Sequence, residues 1–144
     1  MKEYDSLKLS NQLCFPLYAC SKEIIKKYKP FLDEIDLTYT QYITMLVLWE
    51  EDTINVKNLG EKLFLDSGTL TPVLKKLESK KYIKRSRDTN DERNLIISIT
   101  EEGKKLKKLA NNIPTKVSKC INLNQQESIE LYKLLYKVLN DINN

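Results

Sequence analysis

Hydrophobic residues near the start of the chain recur at helical spacing and form two stripes. The first stripe consists of Leu9, Leu13, Leu17, Cys20, Ile24 and Tyr28, and the second of Leu7, Cys14, Tyr18 and Ile25. A helix with this much apolar surface is buried on more than one side, and a short chain achieves that most easily by dimerising. Pro16 lies inside the pattern and predicts a kink, unless it falls near a break in the helix.

Capping residues predict where the next helices begin. Thr38, with Gln41 three residues later, fits a capping box before the helical stretch YTQYITMLVLWEE. Asn55 predicts the start of a short helix in the stretch TINVKNLGEKLFL. Asp66 or Ser67 caps the helix that follows. The pattern therefore predicts two short helices joined by a tight link.

Two β-prone runs come next, at residues 82–85 and 95–99, and they flank a polar turn. A hairpin directly after two short helices is typical of a winged helix-turn-helix. Pro72 falls close to the first turn of the second short helix, where a missing N–H costs least.

Further capping residues organise the C-terminal part. Thr100 caps the helix EEGKKLKKLANNI, which Pro114 interrupts, and Asn124 with Glu127 fits a second capping box before the last helix. We therefore expect a mainly α protein with a small β-hairpin, built as one domain over residues 1–144.

Composition excludes several classes of chemistry. The 144 residues include no histidine, so a Cys–His or Ser–His nucleophile pair and a histidine metal ligand are impossible. The cysteines at 14, 20 and 120 form no C-x-x-C motif, which argues against zinc. We expect no metal, no cofactor and no catalytic residues. The chain has no apolar run of membrane-spanning length and no signal-peptide pattern, so we expect a cytoplasmic protein without a membrane partner.

The positive charge is concentrated in the middle of the chain. Residues 62–108 contain 13 Lys/Arg and 7 Asp/Glu, a net charge of +6, against +4 for the whole chain. Such a segment is suited to a polyanion, although a solvated lysine-rich surface has the same composition.

The second short helix and the hairpin supply candidate DNA contacts. Hydroxyls near a helix N-terminus suit phosphates and base edges, lysines one turn later reach the backbone, and arginines suit a narrow minor groove. The candidates are Ser67, Thr69, Thr71, Lys75, Lys76, Lys84, Arg85, Arg87 and Arg93. The alternative for both elements is an ordinary capped helix and a solvated charged turn.

These motifs resemble the MarR-type winged-helix repressors over nearly the whole chain, and most of all the branch that senses organic hydroperoxides. The matching strings are NQLCF, KYKP, LTY, LDSGTLTP and DER. The resemblance implies that helices in about 1–37 and 101–144 form a dimerisation region and that about 38–100 bind DNA. It also implies that Arg93 enters the minor groove and that Asp91 positions it.

Cys14 is the candidate sensor. A lone cysteine in an apolar stripe is usually inert, and reactivity requires a stabilised thiolate. Tyrosine hydroxyls can provide this by donating hydrogen bonds to the sulfur anion. The resemblance implies that Tyr28 and Tyr39 do so from the opposite subunit. Cys20 fits as small hydrophobic packing. Cys120 of the partner, or a low-molecular-weight thiol, would resolve oxidised Cys14, and both routes stay open.

We therefore expect a homodimeric repressor that binds a pseudopalindromic operator in double-stranded DNA and releases it when organic hydroperoxide oxidises Cys14. One alternative is a MarR-type repressor whose cleft binds a phenolic ligand without redox chemistry. A second, of another class, is a thiol peroxidase that uses Cys14. A third is a nucleoid-type protein without a specific operator.

Overall fold

The computed structural model describes residues 2–143, which divide into two compact units. The first extends to Ile113 and the second begins at Pro114. The helices predominate and a small antiparallel sheet accompanies them, as the hydrophobic pattern predicted. Across the described residues, no helix is both long enough and apolar enough to span a bilayer.

The N-terminal helix is shorter than the hydrophobic stripes suggested. Helix α1 spans Cys14–Asp33, and two single-turn 3-10 helices, Asp5–Leu7 and Leu9–Asn11, precede it. The side chain of Gln12 explains the difference, because its Nε2 donates to the carbonyls of Ser6 at 2.6 Å and Lys8 at 2.8 Å. These bonds stabilise turns that compete with helix.

Pro16 lies near a break in the helical pattern, which is the case in which no kink was expected. Pro16 is the third residue of α1, in the first turn, where no intrahelical N–H is lost. Pro30, which the pattern did not single out, lies near the other end of the helix.

Helices α2, α3 and α4 follow, and their predicted caps are confirmed. They span Tyr39–Glu51, Val56–Leu63 and Ser67–Ser79. Thr38 and Gln41 form both bonds of the capping box, and Asn55 caps α3. Asp66, rather than Ser67, caps α4, because its Oδ1 accepts from the backbone N–H of Thr69 at 2.7 Å.

Pro72 lies deeper in α4 than predicted. It is the sixth residue of the helix and not part of the first turn. At that position it removes the N–H that would bond to the carbonyl of Gly68. Burial of one face of α4 offsets this loss, since Leu70, Val73, Leu74 and Leu77 are all buried.

The hairpin is confirmed, and a third strand joins it. Strands β2 (Ile83–Arg87) and β3 (Leu95–Ile99) pair, and β1 (Thr53–Asn55) pairs with the other side of β3. Ile54 of β1 lies opposite Ile97, and both are buried. The sequence did not predict β1, because three residues are too few to show alternation.

Helix α5 (Glu101–Ala110) packs its first turn against the base of the hairpin. Thr100 caps it, as predicted, by accepting from the N–H of Gly103 at 3.1 Å. A side chain at position 103 would lie 2.4 Å from the carbonyl oxygen of Tyr82, so only glycine fits here. The indole N–H of Trp49 donates to the Gly103 carbonyl at 2.9 Å, which ties α2 to α5.

The C-terminal region contains α6 (Ile113–Ser118) and α7 (Gln125–Ile142). The helical break lies between Ala110 and Ile113, and Pro114 is the second residue of α6. The capping box of Asn124 and Glu127 is confirmed at the start of α7. None of the α7 residues is buried within the chain, although many are apolar.

Candidate nucleic-acid interface and thiol site

Helix α4 presents one polar face to solvent. While its leucines and Val73 are buried, the side chains of Ser67, Thr69, Thr71, Lys75 and Lys76 are all exposed. The helical period produces this separation, because buried residues recur every three or four positions. The five predicted contacts of this helix therefore lie on an accessible surface.

The N-terminal turn of α4 is fixed by hydrogen bonds of its own side chains. Asp66 accepts from Thr69, and that backbone bond is the main cause of the lowered pKa of the Asp66 carboxyl. The Thr71 hydroxyl donates to the Ser67 carbonyl at 2.7 Å. Its oxygen keeps lone pairs that can accept from a base edge.

The turn between β2 and β3, residues 88–94, forms the tip of the wing. Here the structure brings Asp91 and Arg93 together, as the resemblance implied. Asp91 Oδ1 accepts from the Arg93 backbone N–H at 3.1 Å and lies 3.4 Å from Arg93 Nε. The Arg93 side chain is 94% exposed, so its guanidinium extends away from the protein.

Two residues that the sequence analysis did not single out organise this turn. Asp88 accepts from the Asn90 N–H at 3.0 Å and from the Asn94 side chain at 3.1 Å, and both bonds lower the pKa of its carboxyl. The N–H of Asn94 donates to the Asp91 carbonyl. Asp and Asn spaced along a polar turn are the signal that indicates such a role.

The four basic side chains of the wing differ in their surroundings. Lys84 and Arg87 are exposed like Arg93, but Arg85 is half-buried against α4. The Arg85 Nε and one terminal nitrogen donate to Glu78 Oε1 at 3.1 and 2.9 Å. Glu78 was not among the predicted residues, because the chain reversal at residues 80–82 is needed to bring it beside Arg85.

Cys14 is the first residue of α1, and its thiol is exposed. The neighbouring apolar side chains Leu13, Phe15 and Leu17 are also exposed, at 80%, 41% and 39%. The sulfur therefore lies beside exposed apolar side chains of its own unit.

Tyr28 and Tyr39 lie together, one on α1 and one on α2. Their ring centroids are 5.0 Å apart, and the ring of Tyr42 completes the cluster at 5.7 and 6.2 Å. Tyr28 lies fourteen positions after Cys14 on α1, which corresponds to roughly 21 Å along a helix axis. Within one chain the predicted sensor and its predicted supports are therefore far apart.

The hydroxyls of this cluster are held in the protonated form. Burial raises the pKa of Tyr39, and burial together with the nearby Tyr39 raises the pKa of Tyr28. Burial, Tyr28 and Tyr39 raise the pKa of Tyr42 to about 12. Protonated phenols are hydrogen-bond donors, which is the property that a sulfur anion needs in a partner.

The other two cysteines are exposed as well. Cys20 lies on α1, six residues after Cys14, and the packing role expected for it lacks support within one chain. Cys120 lies two residues beyond the end of α6, and its thiol approaches the Lys116 carbonyl at 3.7 Å. Within residues 2–143 there is no cluster of three or more Cys, Asp or Glu residues that could hold a metal ion.

Known proteins are similar to this chain in sequence and in fold. The family described as "Transcriptional regulator SarA/Rot" matches residues 26–109. The chain is 48% identical over 140 residues to the organic hydroperoxide resistance transcriptional regulator of Bacillus subtilis (strain 168), with 95% of this chain and 93% of that protein covered.

Solved structures of AbfR are also similar to this chain in sequence and in fold. The chain is similar to reduced AbfR bound to DNA, with 33% identity, a TM-score of 0.78, and coverage of 99% of this chain and 100% of that one. It is also similar to AbfR with a disulfide formed, with 32% identity, a TM-score of 0.68, and coverage of 97% and 96%. AbfR is a protein of Staphylococcus epidermidis.

Proposed function

The chain belongs to the MarR-type winged-helix transcriptional regulators, within the SarA/Rot family, and on that premise we propose that it is a redox-sensing repressor. In this proposal it binds operator DNA as a homodimer and releases it when an organic hydroperoxide oxidises Cys14. The observation that supports this most is the separation of Cys14 from Tyr28 and Tyr39 in one chain. The tyrosines can act on the thiol only across a dimer.

The DNA-binding step uses α4 and the wing. The exposed hydroxyls of Ser67, Thr69 and Thr71 and the lysines Lys75 and Lys76 enter the major groove or contact its phosphates. Lys84, Arg87 and Arg93 follow the adjacent backbone and minor groove. Two copies related by a two-fold axis read a pseudopalindromic site with half-sites about one helical turn apart.

The sensing step is a two-electron oxidation of sulfur. The Cys14 thiolate attacks the distal oxygen of the hydroperoxide, the O–O bond breaks, and the products are a sulfenate and, after protonation, an alcohol. The sulfenic acid then condenses with a thiol and forms a disulfide and water. The partner's Cys120 and a low-molecular-weight thiol are the two candidates. In either case the group attached to the Cys14 sulfur is too large for the space that the reduced thiol occupies between the tyrosine side chains.

Release follows from the symmetry of the complex. A group added at Cys14 moves the helices that meet at the dimer axis, and the two α4 helices lose the spacing that the operator imposes. Losing a few base contacts at about 1–3 kcal/mol each lowers operator affinity by orders of magnitude. We also propose a cytoplasmic location, where reduced thiols persist.

A gel-shift titration with cumene hydroperoxide tests the proposal. We expect Cys14→Ser to bind the operator like the wild-type protein and to stay bound at peroxide concentrations that release the wild type. Cys20→Ser is the matched control and should be released normally. A Cys14→Ser protein that still dissociates would refute the role of this thiol, and peroxide consumption over many turnovers would indicate a thiol peroxidase instead.

A further inference from the structure

Glu78 connects the DNA-reading helix to the wing. It is the last residue but one of α4, and its carboxylate contacts Arg85 in the middle of β2. Oε1 accepts from Arg85 Nε at 3.1 Å and from a terminal guanidinium nitrogen at 2.9 Å, while Oε2 accepts from the Arg85 backbone N–H at 3.3 Å. One carboxylate thus binds both the side chain and the backbone of a single strand residue.

The backbone bond matters because β2 is an edge strand. The strand order is β1-β3-β2, so β2 has a neighbour on one side only. The Arg85 N–H is satisfied by Glu78, and this attaches the open edge of the wing to α4. A planar guanidinium that donates two hydrogen bonds to one carboxylate has a defined orientation, which a single contact from a lysine ammonium would lack.

Arg85 differs from Arg93 at the wing tip in how far its side chain is exposed to solvent. Its side chain is 26% exposed, compared with 94% for Arg93. The hydrogen bonds from its guanidinium are the main cause of the lowered pKa of the Glu78 carboxyl. Two of the five N–H donors of this guanidinium are engaged with Glu78, and its partial burial further limits its access to a phosphate.

We propose that Glu78 and Arg85 are positioning residues, which fix the angle between α4 and the wing so that both reach the DNA together. Arg85 then acts through the fold and does not contact phosphate. This inference rests on the proposed DNA-binding function. It assigns a role to Glu78, an acidic residue that plain electrostatics would count as unfavourable near DNA.

The substitution Glu78→Gln tests whether Glu78 positions the wing or merely repels DNA, because the two roles predict opposite changes in operator affinity. Removing a negative charge near a polyanion should tighten binding to any DNA. If Glu78 positions the wing, the substitution should instead weaken operator binding, because the wing loses its orientation relative to α4. We expect operator affinity to fall about tenfold, the equivalent of one lost base contact, while affinity for a scrambled duplex stays equal or rises. The operator probe is a duplex selected from random DNA by the wild-type protein.

Glu92→Gln is the matched control. Glu92 is an exposed carboxylate in the wing turn, so this variant has the same charge change without the contact to Arg85. It should keep or slightly increase both affinities. Arg85→Gln completes the set: a phosphate contact would reduce the salt slope by about one, whereas a positioning role leaves the slope unchanged. The double variant Glu78→Gln/Arg85→Gln should bind no worse than Arg85→Gln alone.

Footprinting provides a readout that general destabilisation would not produce. In Glu78→Gln we expect hydroxyl-radical protection of the flanking minor grooves to disappear, while protection of guanine N7 in the major groove remains. If the wild type discriminates operator from scrambled DNA and Glu78→Gln does so equally well, the positioning role is wrong. If the wild type itself does not discriminate, the repressor function fails instead.

Discussion

Tyr28, Tyr39 and Tyr42 share one cluster, but only two of them were expected from the motifs. Tyr42 is 2% exposed and contacts both other rings as well as Trp49, whose ring centroid lies 6.4 Å away. The two tyrosines proposed to support the thiolate are thus packed against a third, Tyr42, which is buried.

The raised pKa of Tyr42 predicts a loss of stability in alkali. The pKa is about 12 in the folded protein and about 10 in an unfolded chain, so the folded state holds the proton more tightly. This contribution is complete below about pH 10 and is lost as the pH rises through about 12. We expect the free energy of unfolding of Tyr42→Phe, measured with urea, to depend less steeply on pH across this window than that of the wild type.

Near-UV absorbance of tyrosinate checks the assignment directly. The latest-titrating phenol of the wild type should be missing in Tyr42→Phe, while a Tyr4→Phe control, at an exposed site, should retain it. Equal alkaline slopes for the wild type and Tyr42→Phe would contradict the prediction.

At the level of elements, the caps were the most predictable features. Side-chain caps depend on two or three neighbouring residues, so Thr38, Asn55, Thr100 and Asn124 could be identified from local sequence. The short strand β1 could not, since it exists only through pairing with β3, more than forty residues away. The hydrophobic stripe also extended past the true start of α1, because periodicity does not register the polar side chains that favour turns.

The candidate site likewise contains features that the sequence predicted and one contact that it did not. The exposed face of α4 follows from helical period alone, and the motif DER located Asp91 and Arg93 at the wing tip. The contact between Glu78 and Arg85 could not be predicted, because it depends on how the chain turns between α4 and β2. Sequence therefore indicated which residues face outward, but not which cations are engaged inside the protein.

The packing of α5 onto the hairpin predicts a large effect at Gly103. A Cβ there would lie 2.4 Å from the Tyr82 carbonyl oxygen and 2.7 Å from Ile99 Cγ1. We expect Gly103→Ala to destabilise the protein by about 3 kcal/mol in chemical denaturation, the upper range for overpacking. Gly68→Ala is the control, since its Cβ would meet only Asp66 Oδ1 at 3.4 Å. It should change stability by less than about 1 kcal/mol.

If both alanine variants had the same stability, the close contact at Gly103 would be relieved by movement of α5. The hydrogen bond from Trp49 to the Gly103 carbonyl would then shift as well.

Each of the two units, taken by itself, exposes many large apolar side chains. In the first unit they surround Cys14 on α1, and in the second they extend along α7. Exposed apolar surface of this extent is typical of an association interface. The homodimer that we propose would cover it, and it would also supply the tyrosines that the thiol lacks within its own chain.

A charge in the apolar face of α7 should therefore separate the protomers. Leu135 is 41% exposed, and Leu131 and Val138 lie within one turn on the same face. We expect Leu135→Glu to be monomeric in sedimentation experiments and to lose at least about 100-fold in operator affinity, because one half-site contributes little alone. Lys137→Glu, on the opposite face of α7, should remain dimeric. A dimeric Leu135→Glu protein would place the interface elsewhere.

Trp49 is the single tryptophan of the sequence, and its place in the fold makes it useful for observation. Its indole lies at the junction of α2 and α5, beside a phenol of the cluster on one side and a backbone carbonyl on the other. Fluorescence from this ring is sensitive to both neighbours. The protein therefore contains an intrinsic optical probe, and rearrangements that begin at the tyrosines can be timed in unlabelled samples.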